Sequence, residues 1–502
     1  FATQLPGFSG QRKLGALIQT RRYGELELNR SGLIPLVVDL DGALVRSDTL
    51  WESLYLAVRR HPMRVIWSPI CLLKGKAGFK LRLGELVVPT AKLLPYNDSV
   101  LDLIKEASEA GRPVVLATGA NRRIAEEVAR HLGTFTHVLA SDDSVNLTGR
   151  RKLAAIRELL GEEQAFDYVG DSKVDYPIFK EARRAYLVAS RLPARNTHDL
   201  QLLENQRGHW SRALLKLIRP QQWAKNVLMF LPLILAQELT DLSKLVTLFI
   251  AFTAFSLCAS AGYVLNDSLD IEADRLHQDK RFRPLASGVL PLWMAPALFM
   301  VLLLVGGTLG YLVSLPFLGL LALYLSISLS YSFFLKTKLA ADVIILASLY
   351  TLRIFAGGLA AQVELTAWML AYSLFFFTSL AFLKRYIEIS GAKPGKRLKN
   401  RDYREQDRRV VESLGTSSGL LAVLVFALYI NSGALKHYSH QEILWGICPV
   451  LMYWVTRLWL LAGRQAIPHD PVVFALKDRV SWMCAAVIGV LLFLASGAWS
   501  GF

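Results

Sequence analysis

Two kinds of hydrophobic patterning divide the chain. Up to about residue 195, short apolar runs alternate with helical stretches. Pro35-Leu-Val-Val-Asp39, Gly111-Arg-Pro-Val-Val-Leu-Ala-Thr118 and Phe166-Asp-Tyr-Val-Gly170 each read as a buried strand. Strands alternating with helices predict a parallel α/β sheet, whose ligand groups gather beyond the carboxyl ends of the strands. From about Ala213 the pattern changes to long apolar segments, each near the roughly 20 residues that a bilayer core demands. Nine candidate spans lie near 213–236, 243–265, 292–313, 316–335, 340–361, 366–383, 416–432, 442–462 and 480–499. The expectation is an α/β domain followed by an all-α polytopic membrane domain of nine transmembrane helices. The boundaries read as a basic N-terminal segment 1–30, an α/β domain 31–195 with a helical insert at about 47–95, a linker 196–211 and a membrane domain 212–502.

Charge adds orientation. Connections after even-numbered spans carry Arg275, Lys280, Arg281 and Arg283, then Lys336 and Lys338, then Lys384 through Arg409, then Arg464, Lys477 and Arg479; those after odd-numbered spans carry chiefly Lys244 and Lys436. Cations accumulate on the cytoplasmic side, so this asymmetry predicts a multi-pass protein of the inner (cytoplasmic) membrane, with the N-terminal domain and the cationic loops in the cytoplasm and the C-terminus outside. A net charge of +16 in 502 residues would otherwise suggest nucleic acid. Because these cations flank a chain that is 53% hydrophobic, they set topology, and no nucleic-acid partner is expected. Cys71, Cys258, Cys448 and Cys484 are scattered without metal spacing and read as reduced core residues. No signal peptide opens the chain, whose first residue is Phe1, which leaves the natural start open. Gln11 to Arg30 is basic and partly amphipathic, a surface or linker segment.

Two acidic clusters carry the chemistry. Asp39-Leu40-Asp41-Gly42 ends the first strand run, Thr118 ends the second, and the third delivers Asp171 and Asp175 to the same edge, with Lys152 shortly before it. A carboxylate attacking a phosphate needs its charge offset, which a magnesium ion and a nearby lysine can do. This ordered set resembles the haloacid dehalogenase superfamily of phosphatases over roughly residues 34–190. The resemblance implies a Rossmann-like α/β core with a helical cap. It also implies Asp39 as nucleophile, Asp41 as general acid/base, Thr118 and Lys152 as phosphate ligands, and Asp39, Asp41, Asp171 and Asp175 around Mg2+. The family motif usually continues with Thr where this chain has Ala43, which removes a hydroxyl but no catalytic group. The insert from Ser47 to Pro95 would be the cap, its Ile66 to Leu73 run reading as cap core rather than a membrane-dipping segment.

The second cluster closes the second span. Asp267, Asp270 and Asp274 are spaced by three and four residues, so one helix would place all three on one face. Like charges so arranged call for a cation, and magnesium, which takes oxygen ligands and bridges to substrate phosphates, suits them. Asn266-Asp267-x-x-Asp270-x-x-x-Asp274, followed by Arg281-x-Arg283-Pro284-Leu285-Ala286-Ser287-Gly288, is similar to the first signature of the UbiA superfamily of membrane prenyltransferases, over roughly residues 210–500. Members acting on aromatic rings carry a second motif with a pair of aspartates; the equivalent stretch here has only Asp342, with Leu346 one turn later. Arg219-Pro220-Gln-Gln222-Trp223-Ala-Lys225-Asn226, Lys384-Arg385-Tyr386-Ile-Glu388 and His469-Asp470-Pro471 resemble the decaprenyl-phosphate phosphoribosyltransferase branch.

That resemblance implies transfer of 5-phosphoribose from phosphoribosyl diphosphate to a polyprenyl phosphate. Asp267, Asp270 and Asp274 would hold Mg2+, while Lys225, Asn226, Asn266, Arg281, Lys336, Asp342, Lys384 and Arg385 would bind substrates. Arg353 lies eleven residues after Asp342, about three turns on, and a charge that deep in a span is a substrate-binding candidate beside the alternative of a buried ion pair. The fused phosphatase would then remove the 5-phosphate, leaving polyprenyl-phosphoryl-ribose for cell-envelope glycans. Two other readings stand: an aromatic prenyltransferase of quinone or haem type with a fused phosphatase, and a non-catalytic lipid-phosphate binding or transport protein. Lipid chain length, the downstream glycan and oligomeric state are not legible.

Overall fold

The computed structural model describes residues 33–65, 75–142, 146–189, 200–204, 210–391, 401–432, 435, 438–467 and 470–497. The basic segment 1–30, the Ile66 to Leu73 run, much of the 196–211 linker, the middle of the Lys384 to Arg409 loop, Lys436 and His469 lie outside the described residues. The chain divides into two compact units. One joins Phe1–Leu217 to Val264–Ala297, and the other joins Ile218–Tyr263 to Leu298–Phe502.

The first unit is built on a six-stranded sheet in the order β3-β2-β1-β4-β5-β6, comprising β1 (Leu36–Val38), β2 (Val114–Asn121), β3 (His137–Ser141), β4 (Asp167–Gly170), β5 (Arg184–Ala189) and β6 (Leu200–Glu204). Every pairing is parallel, with Leu36 of β1 opposite Val114 on one side and Asp167 on the other. Parallel strands are covered on both faces, which is why the predicted ones read as unbroken apolar runs. On one face Leu36, Val38, Leu116 and Val169 pack with helices α3 (Asp98–Glu109) and α4 (Arg122–Leu132); on the other, Val37, Val115 and Tyr168 pack with α5 (Arg150–Leu160) and α6 (Tyr176–Glu181). Strand order reverses at β1, with β2 on one side and β4 on the other. In such sheets the ligand crevice opens at that reversal, beyond the carboxyl ends of the strands. The insert after β1 is helical as expected: α1 (Thr49–Arg60) and α2 (Gly75–Leu86) bury Leu56, Ala57, Leu83 and Val87 together.

Among the described residues, eight helices are long and apolar enough to cross a membrane. They are α7 (Leu242–Leu269), α9 (Met294–Val313), α10 (Leu315–Phe333), α11 (Ala341–Ala361), α12 (Ala367–Ser390), α13 (Glu405–Asn431), α14 (Gln441–Gly463) and α15 (Arg479–Ser496). Between α7 and α9 lies a short helix, α8 (Ile271–Arg275). Phe249, Leu304, Leu312, Leu424, Val490 and Phe493 are exposed on these helices, as lipid-facing side chains are. The first expected span, 213–236, is not one long helix. A helix Trp210–Ile218 stops at Arg219, whose φ is +56°; a 3-10 run Pro220–Phe230 and a helix Leu231–Leu235 follow. Pro220 and Pro232 remove two backbone donors, which breaks the α-helical ladder there. The 3-10 run packs tightly on α11: a Cβ at Gly357 would lie 1.9 Å from the Met229 carbonyl oxygen.

Candidate active sites

At the reversal point of the sheet, Asp39 directly follows β1 and Asp171 directly follows β4. Asp39 is buried and its Oδ1 accepts the Leu40 amide at 2.8 Å. Lys152, brought in by α5, donates from Nζ to Asp39 Oδ2 at 2.7 Å, to Asp175 Oδ1 at 3.1 Å and to the Tyr168 hydroxyl at 3.2 Å. Asp39, Asp171 and Asp175 each present a carboxylate oxygen within 4.8 Å of the others. Three carboxylates against one ammonium leave an excess of negative charge in a largely buried place, so this donor set fits a magnesium ion. Burial pushes the Asp39 carboxyl up, against the pull of Lys152. Burial, with the nearby Asp48 charge, pushes Asp41 up to about 8. Asp41 lines the same cleft, its Oδ1 accepting the Thr49 amide at the start of α1 at 2.8 Å. Thr118, fully buried, accepts the Ala120 amide at 3.0 Å. Gly42, at φ +78°, lets the turn pass Asp171: an added Cβ would lie 1.9 Å from its Oδ2. Tyr168 and Ser172, whose hydroxyl donates to Asp175 at 3.1 Å, were not singled out in the sequence; neither residue type advertises such a role.

The acidic segment after α7 belongs to the same compact unit. The single helix expected through Asp274 is interrupted. Asp267 sits in the last turn of α7, Asp270 takes the N-cap position with ψ +17°, and Asp274 lies in α8. Arg283 Nη1 bridges Asp267 Oδ1 at 3.1 Å and Asp274 Oδ2 at 2.5 Å, and both carboxylates are buried. Burial raises Asp274 above the usual carboxylate range, while Arg283 pulls it back. Arg283 stands in the quoted motif without a role there; Arg281, expected to bind substrate, is exposed and lies over the Phe282 ring. Asn266 is half-buried, and its carbonyl accepts the Asp270 amide at 3.0 Å.

This segment is seated on the cap. Arg275 donates from Nη2 to Glu52 Oε1 at 2.6 Å and from Nη1 to Oε2 at 3.1 Å, and both side chains are buried. Arg60 pairs with Glu272 at 2.9 Å and Arg59 with Asp270 at 3.5 Å. The Tyr55 hydroxyl donates to the Leu292 carbonyl at 3.1 Å.

In the second unit, Arg353 of α11 is buried and donates to Asn226 Oδ1 at 2.8 Å, to the Tyr324 hydroxyl at 3.1 Å and to the Leu349 carbonyl, with the Phe255, Tyr324 and Tyr350 rings 5.2–5.5 Å from its guanidinium carbon. Asn226 also donates to Ser256 at 2.9 Å, and Lys225 stands 6.0 Å from the centre of the Tyr350 ring. Asp342 is fully buried and held by Arg385 Nε at 2.8 Å, Arg401 Nη1 at 3.0 Å and the Tyr403 hydroxyl at 2.8 Å. Arg385 pairs with Glu388 as well. Lys384 donates to Asp470 at 2.8 Å, and Lys336 is half-buried in the 3-10 turn Leu335–Thr337.

Residues 227–465 match the UbiA prenyltransferase family and residues 36–180 the haloacid dehalogenase-like hydrolases. An uncharacterized protein, y4nM, of Sinorhizobium fredii is 33% identical over 92% of this chain and 91% of its own length. The decaprenyl-phosphate phosphoribosyltransferase of Corynebacterium glutamicum is 37% identical over 56% of this chain and 87% of its own. The nodulation protein NoeC of Azorhizobium caulinodans is 32% identical over 55% of this chain and 90% of its own. With its own acidic segment and multiple membrane-spanning helices behind a phosphatase-like sheet, the chain belongs to the UbiA prenyltransferase family and carries a haloacid dehalogenase-like domain at its N-terminal side.

Proposed function

We propose that the membrane half transfers 5-phosphoribose from phosphoribosyl diphosphate to a polyprenyl phosphate, and that the N-terminal domain then removes the 5-phosphate. The observation that carries this reading is the joining, in one compact unit, of a complete phosphatase constellation and the acidic segment of a transferase. The similarity to decaprenyl-phosphate phosphoribosyltransferases supports the choice of donor and acceptor.

In the transfer, a polyprenyl phosphate oxygen forms the new bond to C1 of the ribose as the bond from C1 to diphosphate breaks. The acceptor is already an anion, so no strong base is required. Asp267, Asp270 and Asp274 would hold magnesium, which offsets charge on the departing diphosphate. Arg283 pairs with both Asp267 and Asp274, and among the described residues these carboxylates do not converge on one point with Asp270 as Asp39, Asp171 and Asp175 do. Lys225, Lys336, Lys384 and Arg281 are the cations assigned to substrate phosphates. The closed network of Asp342 with Arg385 and Arg401 suits an anchoring role for that pair of helices.

In the hydrolysis, Asp39 Oδ attacks phosphorus and the ribose 5-oxygen leaves with a proton from Asp41. Water then cleaves the aspartyl phosphate, with Asp41 as base. Magnesium held by Asp39, Asp171 and Asp175 would neutralise the phosphate. Lys152 orients the nucleophile, and Thr118 would bind a phosphate oxygen.

The fold also supports a nine-crossing topology. The Glu52–Arg275 pair keeps the N-terminal domain and the segment after α7 on one side of the membrane. If α7 crosses once, the chain before it would cross once too, and the broken stretch 210–235 would be that crossing. We assign both acidic sites to the cytoplasm on the charge asymmetry of the loops.

The test is purified full-length protein with magnesium, polyprenyl phosphate and phosphoribosyl diphosphate, followed by mass analysis of the lipid. Wild type should yield lipid-linked ribose and Asp39→Asn lipid-linked phosphoribose. Absence of ribosylated lipid in both would sink the assignment.

A further inference from the structure

We propose that Pro291, Leu292 and Trp293, the turn leading into α9, form the substrate-selecting wall of the phosphatase pocket, and that this wall admits a phosphate monoester still attached to a membrane lipid. The inference rests on the phosphatase reading above and deepens it. The cleft that contains Asp39, Asp41, Thr118 and Lys152 has a volume of about 360 Å³, and these three residues line it together with Lys80 of cap helix α2 and the loop at Thr148 and Gly149. Pro291, Leu292 and Trp293 come from the transferase part of the sequence, some 250 positions from the nucleophile.

The turn is held in place by buried contacts along its length. Leu290 and Leu292 are buried, and the Leu292 carbonyl accepts the Tyr55 hydroxyl of α1. Gly288, at φ +73°, allows the chain to pass against Arg46 and Pro95, where a Cβ would come within 2.9 Å of the Arg46 side chain. Further back, Arg275 clamps the Ala286 carbonyl at 2.7 Å and Glu52 at once. Trp293, by contrast, is left 53% exposed at the cleft. A large aromatic side chain with a pinned backbone and an open face is a contact surface awaiting a ligand.

The position of the turn indicates what that ligand is. Trp293 immediately precedes Met294, the first residue of the α9 span. Tryptophan is favoured at the membrane–water interface, so the mouth of the pocket opens at the level of lipid headgroups. A phosphate seated against Asp39 and Thr118 would direct the sugar that bears it toward the indole, and a lipid attached to that sugar could remain in the bilayer. A soluble sugar phosphate gains nothing from such a mouth.

The experiment compares wild type and Trp293→Ala, as full chains in liposomes, on lipid-linked 5-phosphoribose and on soluble ribose 5-phosphate. The ratio of kcat/KM for the lipid-linked over the soluble substrate should fall roughly tenfold or more in the variant, as loss of an aromatic anchor does; an unchanged ratio overturns the wall. A second measurement is independent of turnover. In an Asp39→Asn background, Trp293→Cys is labelled with a maleimide and the modified peptide quantified by mass spectrometry. Lipid-linked phosphoribose should slow labelling at position 293 at least about threefold, and equal rates with and without it overturn the proposal. Wild type that hydrolyses neither substrate would refute the phosphatase reading, while the labelling arm still decides whether the wall meets the lipid.

Discussion

Replacing Arg275 by Met tests whether the acidic segment and the cap act as one body. The guanidinium makes two hydrogen bonds to Glu52 and one to the Ala286 carbonyl, in a place where the side chains are only 7% and 3% exposed. Removing one partner of a buried pair costs about 3–5 kcal/mol, chiefly because the other charge is left stranded. Ser47 still donates to Glu52 at 2.6 Å. The lower end therefore applies, about 3 kcal/mol, or more than a hundredfold in a local opening equilibrium. The measurement is amide hydrogen exchange by mass spectrometry on the full chain in detergent. Peptides covering Thr49–Arg60 should exchange at least about a hundredfold faster in Arg275→Met, whereas β2 peptides should not follow. Adding Glu52→Leu should return most of the protection, since an apolar replacement of both partners is often near neutral. Unchanged exchange over α1 in the single variant would refute the docking, and no recovery in the double variant would refute the stranded-charge explanation.

Three further outcomes follow from the same structure. Gly42→Ala forces a Cβ into Asp171 at a positive φ, so dephosphorylation should fall about a hundredfold, as misplacement of a catalytic group by about 1 Å does; steady-state assay of lipid-linked phosphoribose hydrolysis checks it. At the opposite end of the sheet burial alone would raise the Asp167 carboxyl, but Arg183 and Arg112 outweigh it and hold the group below its ordinary 3.8. A depressed carboxylate stabilises the fold above its unfolded pKa and loses that contribution as pH falls through the folded one; the melting-temperature gap between wild type and Asp167→Asn should thus be full at neutral pH and shrink below about pH 4. A reporter fused after Phe502 should be accessible only from the face opposite an N-terminal reporter, whereas labelling from the same face would mean that the 210–235 stretch does not cross.

The parallel sheet, the helical insert and most of the membrane helices were legible because each rests on a local signal. Buried parallel strands are runs of apolar residues, and a bilayer imposes a minimum length on a helix. The break in the first span was not legible, because hydropathy registers apolar content but not the backbone donors that Pro220 and Pro232 remove. Strand β6 was not anticipated: Leu200-Gln-Leu-Leu-Glu204 lies inside the 196–211 stretch expected to be a linker, and only pairing with β5 makes it a strand. In the soluble site, Asp39, Thr118, Asp171 and Asp175 are named by order along the chain because they lie in or just after the strands, whereas Lys152 comes from α5. Arg283 stands in the quoted motif, but its bridging of Asp267 and Asp274 needs the turn between them, while Arg401 meets Asp342 from 59 positions away, where no spacing rule reaches.

The docking of the segment after α7 on the cap changes what the fusion can do. A flexible tether would raise only the local concentration of the second enzyme, and its benefit would fall with linker length. A segment that lines the cleft around Asp39, as residues 291–293 do, does something a tether cannot: on the proposed reading the pocket is incomplete without it. Glu52 carries this logic at the level of one residue. It lies in α1, whose first amide holds Asp41, and it is neutralised by Arg275, the residue next to Asp274. Docking of the segment after α7 therefore stabilises the cap through Glu52. An isolated N-terminal domain would leave Glu52 without its guanidinium and would lack the wall.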